Sequence, residues 1–221
     1  MKQSEQLVSV IIPCYNGDQY LHEAIHSIRS QSLPVFEILV IDDGSLNPVS
    51  ELKSFDATGI NVIRKENGGQ GSAINLGINL AQGDLIAFLD HDDLWEHNKN
   101  EIQFNCLISN DFDVVIGQVV NEWIKSDGIS RRQNMGTARL FGACLFKKEV
   151  FSYIGPVAQD RQIHEVIDWW SRAGEKLKIG QSNHVDLIRR VHGENLTLQE
   201  NHKDRSDLLL RIRENLRRNH G

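Results

Sequence analysis

The chain has 221 residues, of which 40% are hydrophobic and 24% are charged, and its formal net charge is −6. This composition suits one globular domain with a sizeable core and excludes a mostly disordered chain. The acidic balance argues against a nucleic-acid-binding protein, because no basic stripe runs through the body of the chain.

No apolar run reaches the ~18 residues of a membrane-spanning helix, and the N-terminus lacks a signal-peptide pattern. The three cysteines lie far apart in apolar segments and predict buried thiols in a reducing compartment. We therefore expect a cytoplasmic protein without a transmembrane segment. Its locally basic C-terminal tail predicts helix packing or a homodimer, and a peripheral contact with an anionic membrane surface is the alternative.

The first half of the chain alternates short apolar strands with amphipathic helices. Strands are predicted at residues 7–12, 36–41, 60–64 and 85–89, and helices at 19–31, about 48–55 and about 72–81. This alternation predicts a mostly parallel sheet with right-handed crossovers and helices on both faces. The carboxyl ends of the strands then face one crevice, where α/β sheets bind ligands.

Two of these strands end in acidic residues. The second is followed by Asp42 and Asp43, and the fourth by Asp90, Asp92 and Asp93. The carboxylates of Asp90 and Asp92 can converge on one divalent cation, since Mg²⁺ and Mn²⁺ prefer one or two carboxylates plus the phosphates of a substrate. The alternative is a solvated acidic turn in which Asp93 caps the next helix.

The second half of the chain is less regular. Helices are predicted at about 96–109, at 147–155, at 164–178 and at 204–218, and strands at 113–120, 139–146 and 185–191. The polar residues 125–137 predict a mobile loop. On the helix at 164–178, one stripe carries Glu165, Asp168 and Arg172, so that Asp168 is expected to pair with Arg172.

Six motifs in order mark a resemblance to a known family: VSVIIPCYNGDQYLHEAIHSIRSQS, FEILVIDDGS, ENGGQGSAINLGINLAQGDLIAFLDHDDLW, FGACLFKKEVF, EVIDWWSRA and RRVHGENLT. The chain closely resembles the non-processive family 2 glycosyltransferases over residues 7–197. The resemblance implies a single domain, 1–221, with a Rossmann-like α/β fold of GT-A type. Residues 1–95 would bind a nucleotide sugar, expected to be a UDP-sugar, and residues 96–200 a hydroxyl acceptor that no motif identifies.

The resemblance also implies the residues that bind the donor. The first loop and the IDDGS turn would hold the base and the ribose through Pro13, Tyr15, Asn16, Asp42 and Asp43. Tyr15 offers a flat face for uracil, and Asp42 can accept a hydrogen bond from uracil N3 or a ribose hydroxyl. Further donor contacts are expected from Gly69, Asn75, Asp90 and His91.

The DxD motif of the family is matched by Asp90 and Asp92. In relatives this motif holds the cation that bridges the diphosphate, so the expected cofactor is Mn²⁺ or Mg²⁺, which offsets charge on the departing nucleoside diphosphate. His192 matches a histidine that follows the last core strand and can reach the metal or the diphosphate. A polar residue in a turn is the alternative for His192.

The general base is where this sequence departs from the family pattern. An inverting hexosyltransferase needs a carboxylate that takes the proton of the acceptor hydroxyl. Relatives supply it as the aspartate of a Glu-Asp pair, whereas here Glu165 is followed by Val166, which cannot accept a proton. Glu165 is therefore the first candidate and Asp168 the second. A non-catalytic nucleotide-sugar-binding or scaffold protein is the alternative, which is also favoured by Ile74 in place of an arginine.

Overall fold

A computed structural model describes residues 7–17, 19–52, 58–124, 131–159 and 165–192. Its strands are β1 (Val8–Cys14), β2 (Glu37–Asp42), β3 (Ile60–Arg64), β4 (Leu85–Phe88), β5 (Leu94–Trp95), β6 (Val114–Trp123), β7 (Arg131–Thr137), β8 (Cys144–Lys147) and β9 (Ile179–Val191). Its α-helices are α1 (Leu21–Arg29), α2 (Gln70–Leu80), α3 (Lys99–Asn110), α4 (Val150–Ile154) and α5 (Glu165–Ala173), with 3₁₀ turns at Val49–Glu51 and Phe141–Ala143. The predicted α/β class is confirmed.

The described strands form one sheet in the order β3-β2-β1-β4-β8-β6-β9-β5, with β7 paired to β6. Strands β3, β2, β1 and β4 are parallel, as the first half of the sequence predicts. Strand β8 runs antiparallel to both β4 and β6, whereas β6 and β9 are parallel. Strand β7 is also antiparallel to β6, to which the short connection 124–130 joins it, so the second half of the sheet is mixed.

Helices cover both faces of the sheet, as expected. One apolar cluster joins the sheet to α1 and α3 and includes Leu21, Ile25 and Leu107. The other joins it to α2, α4 and α5. Alternate residues of β1 enter different clusters, Ile12 the first and Ile11 the second, because side chains alternate across a strand. Burial of each such side chain contributes about 1.5–3 kcal/mol.

Several predicted elements differ from the structure. Residues 131–137, expected in a mobile loop, form β7 because their backbone pairs with β6. Strand β9 begins at Ile179, six residues before the predicted start at residue 185, because its polar first part pairs with β6. The helix expected at 204–218 lies outside the described residues. Among the described helices, none has the length and apolar composition of a membrane span.

Candidate functional site

The carboxylates that follow β4 lie close together. Asp90, Asp92 and Asp93 each offer one oxygen, and these atoms all lie within 4.8 Å of one another. Asp90 Oδ1 accepts a hydrogen bond of 2.8 Å from Gln70 Nε2 at the start of α2. Asp92 Oδ2 lies 3.2 Å from Nε2 of His192, which follows β9. The structure therefore brings Asp90 and Asp92 together, as the sequence suggests, with Asp93 as the third member of the group, whereas His192 lies beside Asp92.

Asp93 has a different role from the predicted helix cap. The next helix, α3, starts at Lys99 and is preceded by Asn98. Residues 94–95 between them form β5, which pairs with β9. The Asp93 carboxylate is buried and accepts a 2.9 Å hydrogen bond from the backbone N–H of Arg190. The capping interpretation is wrong because a long-range strand pairing takes the place of the first helical turn.

Crowding of these carboxylates changes their proton affinity. Removal from water and the negative charges of Asp92 and Glu165 raise the pKa of Asp90 to about 7. Burial, together with the charges of Asp92 and Asp90, also raises the pKa of Asp93 well above its ordinary value. A divalent cation offsets such repulsion. The three carboxylates offer hard oxygen donors, so the site fits Mg²⁺ or Mn²⁺.

Arg190 of β9 connects this turn to α1. Besides its backbone bond to Asp93, its guanidinium binds the carbonyl oxygen of Asp92 and the carboxylate of Glu23. Sequence reasoning missed this residue, although RRVHGENLT contains it. Alternation along a strand puts Arg190 on the same face as His192, two residues further on, and this signal could have identified it.

His91 packs against the loop that follows β1. A Cβ atom on Gly17 would lie 2.1 Å from the imidazole ring, so only glycine permits this approach. Removal from water lowers the pKa of His91 below its ordinary value, which favours the neutral ring. Pro13, also expected near the donor, lies in β1 opposite Ile41 of β2. The structure thus holds the acidic turn against the first loop through His91.

Hydrogen bonds join the first loop to the turn after β2. Asn16 has a left-handed backbone with φ of 53°. Its backbone N–H donates to Ser45 Oγ at 2.9 Å, and its Oδ1 accepts from the Leu46 N–H at 2.8 Å. Beside it, the Tyr15 side chain is 49% exposed. The loop therefore presents an accessible aromatic ring on a backbone fixed by hydrogen bonds.

Both carboxylate oxygens of Asp42 accept hydrogen bonds from groups of the protein itself. Its carboxylate accepts hydrogen bonds from the N–H groups of Ser45 at 2.8 Å and Val49 at 3.2 Å, and from Arg64 at 2.9 Å. Burial alone would raise the pKa of Asp42, but these hydrogen bonds and the charge of Arg64 outweigh it and lower the pKa. Asp42 is 1% exposed. Its two oxygens therefore shape the turn.

Asp43 organises the glycine-rich turn that leads into α2. Its carboxylate accepts hydrogen bonds from Lys65 Nζ at 2.5 Å, from the Gly68 N–H at 3.0 Å and from the Gly69 N–H at 2.8 Å. Gly69 has φ of 85°, a conformation that favours glycine. The N–H of Gly69, a residue expected to contact the donor, is thus directed to Asp43.

Asn75 clamps α2 to the segment before α5. Its Nδ2 donates to the Val157 carbonyl at 2.8 Å, and its Oδ1 accepts from the Val157 N–H at 2.9 Å. The adjacent Ile74 is 2% exposed and belongs to the core. The position where relatives carry an arginine therefore contributes packing here, and the amide of Asn75 binds backbone.

The two candidate bases differ in their surroundings. Glu165 begins α5, is 5% exposed, and lies close enough to Asp90 for its charge to raise the pKa of that carboxyl. Asp168 accepts a 3.0 Å hydrogen bond from Arg172 Nε, which confirms the predicted pair. Val166 packs against the apolar core. Of the two, Glu165 is the carboxylate whose charge raises the pKa of Asp90 in the acidic turn.

Sequence comparisons give a family and several relatives. The model of the family described as "Glycosyl transferase family 2" matches residues 9–195. An uncharacterized glycosyltransferase of Rickettsia bellii is 32% identical over 220 residues, with 89% of this chain and 30% of that protein covered. The glycosyltransferase GlyG of Streptococcus pneumoniae is 35% identical over 127 residues, with 56% of this chain and 42% of that protein covered. The chain thus spans less than half the length of these relatives.

Solved structures give the same fold. The crystal structure of S. aureus TarS 1-349 in complex with UDP matches with a TM-score of 0.73 at 18% identity. The match covers 95% of this chain and 65% of the TarS chain. The complex of the same protein with UDP-GlcNAc has a TM-score of 0.77 at 17% identity, with 95% and 66% covered. This likeness confirms the expected α/β fold of GT-A type.

Proposed function

The chain belongs to glycosyl transferase family 2, and from this premise we propose that it transfers a sugar, with inversion, from a UDP-sugar to a hydroxyl acceptor. The main support for the proposal is that the three carboxylates following β4 lie close together and that the charge of Glu165 of α5 acts on Asp90 among them. Relatives of similar sequence are named glycosyltransferases. TarS, which shares the fold, has been crystallised with UDP and with UDP-GlcNAc, so UDP-GlcNAc is the first donor to test.

The donor diphosphate is expected to bind at the acidic turn. Asp90, Asp92 and His192 would hold a Mn²⁺ or Mg²⁺ ion, which supplies Lewis acidity toward the diphosphate. In support, Arg190 fixes the backbone of this turn through the Asp92 carbonyl. His91 holds the turn against the first loop, where the nucleoside would bind.

The nucleoside is expected to bind at the first loop and the IDDGS turn. The exposed ring of Tyr15 would stack on the uracil. Asp42 and Asp43 would act through the backbone that they order, because their oxygens already accept hydrogen bonds from the protein. Asn16 links the two turns. These contacts support a preformed nucleoside site.

Glu165 is the proposed general base. Its carboxylate would take the proton of the acceptor hydroxyl while the hydroxyl oxygen bonds to the anomeric carbon and the bond from that carbon to UDP breaks. Asp168 is the second candidate, but it already forms an ion pair with Arg172, whereas the charge of Glu165 acts on Asp90. With Glu165 as base, the valine at position 166 is compatible with catalysis.

Release of UDP from UDP-GlcNAc tests this assignment. We expect Glu165→Gln to lower the rate by about 10²–10⁴-fold, the usual contribution of a general base, while UDP affinity measured by calorimetry stays unchanged. Asp168→Asn is the matched variant on the same helix and should retain most of the activity. Equal rates in wild type and Glu165→Gln would reject Glu165 as the base. UDP binding by the wild type without turnover on any acceptor would favour the scaffold alternative.

A further inference from the structure

Tyr20, at the start of α1, contacts two residues at the end of β9. Its ring centre lies 4.7 Å from that of His192, and the two ring planes meet at 33°. The guanidinium carbon of Arg190 lies 4.7 Å from the centre of the same tyrosine ring. Because Arg190 and His192 are two residues apart, alternation puts both on one face of the sheet. The Tyr20 ring packs against that face and joins α1 to the end of β9.

The backbone of Tyr20 is fixed where α1 begins. Its carbonyl oxygen accepts hydrogen bonds from the N–H groups of Glu23 at 3.1 Å and Ala24 at 3.2 Å. Arg190 Nη2 donates to the same oxygen at 3.4 Å, and another nitrogen of that guanidinium binds the Glu23 carboxylate. The tyrosine ring is therefore carried by a helix terminus that Arg190 ties to β9.

His192 lies directly after Val191, the last residue of β9, which is paired with Trp123 of β6. The His192 side chain is 10% exposed, and its Nε2 lies 3.2 Å from Asp92 Oδ2. A histidine ring can turn about its side-chain bonds, so a contact on its flat side helps to keep Nε2 directed at one point. The Tyr20 ring supplies such a contact, because aromatic rings at this separation attract each other.

Two routes lead from the tyrosine ring to the acidic turn. One passes through His192 to the carboxylate of Asp92, and the other through Arg190 to the carbonyl of Asp92. Arg190 is also held by the Glu23 carboxylate and, at its backbone N–H, by the Asp93 carboxylate. These contacts of Arg190 remain when the aromatic ring is removed, so His192 is the residue whose orientation we expect to change.

We propose that Tyr20 is a positioning residue that orients His192 toward a divalent cation shared with Asp92. This inference rests on the proposed function and deepens it, because it makes the start of α1 part of the metal site. Removal of a group that orients a metal-binding histidine commonly weakens metal affinity by about 10–100-fold. The flat ring makes the contact with His192, so the proposal assigns no role to the phenol hydroxyl.

Calorimetry with UDP and Mn²⁺ tests the proposal. We expect Tyr20→Leu to weaken Mn²⁺-dependent UDP binding about tenfold, whereas Tyr20→Phe, which keeps the ring, should change it less than twofold. Any UDP affinity that remains without Mn²⁺ should be the same in all three proteins. In a His192→Ala background, Tyr20→Leu should have little further effect, because the imidazole that the ring orients is then missing.

Electron paramagnetic resonance of the bound Mn²⁺ gives a second readout, which does not depend on affinity. Spin-echo spectra at saturating UDP and Mn²⁺ detect an imidazole nitrogen that ligates the ion. We expect this nitrogen signal in the wild type and in Tyr20→Phe, a weaker signal in Tyr20→Leu, and its loss in His192→Ala. Melting temperatures identify any variant that fails to fold, and Tyr20→Met replaces Tyr20→Leu in both measurements if the leucine variant does.

The outcomes separate this inference from the proposed function. If Tyr20→Leu binds UDP with Mn²⁺ as the wild type does, or weakens binding equally with and without His192, Tyr20 does not orient His192. A wild type that binds UDP with Mn²⁺ but gives no nitrogen signal would also overturn the inference, and would leave metal binding by Asp90 and Asp92 intact. Failure of the wild type to bind UDP with Mn²⁺ would contradict the proposed function itself.

Discussion

A Cβ atom on Gly17 would lie 2.1 Å from the His91 ring, so this glycine decides whether the imidazole can lie against the first loop. Gly17→Ala should displace His91 and, with it, the adjacent turn that carries Asp90 and Asp92. We expect metal-dependent UDP affinity to fall about tenfold, or ~1.4 kcal/mol. Calorimetry with UDP and Mn²⁺ measures the change.

A double-mutant cycle with His91→Ala is the control. The clash needs both groups, so Gly17→Ala should have a smaller effect in a protein that already lacks the imidazole. Equal effects of Gly17→Ala in the two backgrounds would mean that the loop, and not the contact with His91, is responsible.

Asn75 is a residue for which the resemblance and the structure suggest different roles. If the bonds to Val157 are its role, Asn75→Ala leaves a buried backbone N–H and C=O without partners and lowers the free energy of unfolding by about 1–3 kcal/mol. UDP affinity of the folded protein would then change less than twofold. Urea unfolding and calorimetry measure the two effects.

Gln70→Ala is the matched variant, because Gln70 lies on the same helix but donates to Asp90. It should weaken metal-dependent UDP binding and change stability less than Asn75→Ala does. Loss of UDP binding in Asn75→Ala with unchanged stability would support the donor contact that the resemblance implies.

Among the elements, the sequence predicts best the bounds of strands whose own residues form a short apolar run. β3 has the predicted bounds, and β2 differs by one residue at each end, because both are short apolar runs. β7, with the sequence RRQNMGT, has no apolar alternation, and its pairing with β6 is a long-range property. β5 is hidden for the same reason, since two residues form a strand only beside β9.

Helix α3 is joined to the sheet by a buried lysine that no local pattern reveals. Lys99 is 0% exposed, and its Nζ donates to Gln103 Oε1 at 2.9 Å and to the Cys144 carbonyl at 3.2 Å. It also lies 4.1 Å from the centre of the Trp95 ring. Gln103 in turn donates to Asp186 Oδ2 of β9 at 2.8 Å. Removal from water lowers the pKa of Lys99 to about 8.

This pKa predicts how stability depends on pH. The folded-state pKa lies below the ordinary 10.5, so folded Lys99 releases its proton at lower pH than the unfolded chain does. The cost of burying the ammonium group is complete below about pH 8 and disappears as the pH rises toward the unfolded-state value. The free energy of unfolding should therefore rise between about pH 8 and about pH 10 by more in wild type than in Lys99→Met. Urea unfolding across this range measures it, and parallel profiles would contradict a buried, titrating lysine.

In the whole molecule, the site combines residues from the parallel and the mixed half of the sheet. The sequence predicts the first half better than the second. The parallel half delivers Asp90 and Asp92 at the end of β4, and alternating strands and helices predict this. Glu165 and His192 come from α5 and from the end of β9, and the approach of His192 depends on the position of β9 between β6 and β5. That position follows from the mixed second half of the sheet, so only the family resemblance indicated these two residues.

Arg190 is likewise a residue of the second half whose contacts the sequence does not predict. Its role depends on three elements meeting, namely β9, the turn after β4 and the start of α1. Alternation along β9 places Arg190 on the same face as His192, but it does not show that the turn after β4 and the start of α1 meet there. The sequence therefore predicts the carboxylates of the site, whereas the structure adds the groups that hold them in place.

The proposed function requires that the paired aspartates bind a nucleotide through a divalent cation. The most direct test is the melting temperature of wild type and Asp92→Ala with UDP, GDP, dTDP or CMP, each with and without Mn²⁺. We predict that UDP with Mn²⁺ stabilises the wild type, by about 2.7 kcal/mol at 100 times the dissociation constant, and that Asp92→Ala abolishes this effect. Stabilisation by no nucleotide, or stabilisation by UDP that needs neither Mn²⁺ nor Asp92, would contradict metal-dependent nucleotide binding at this turn.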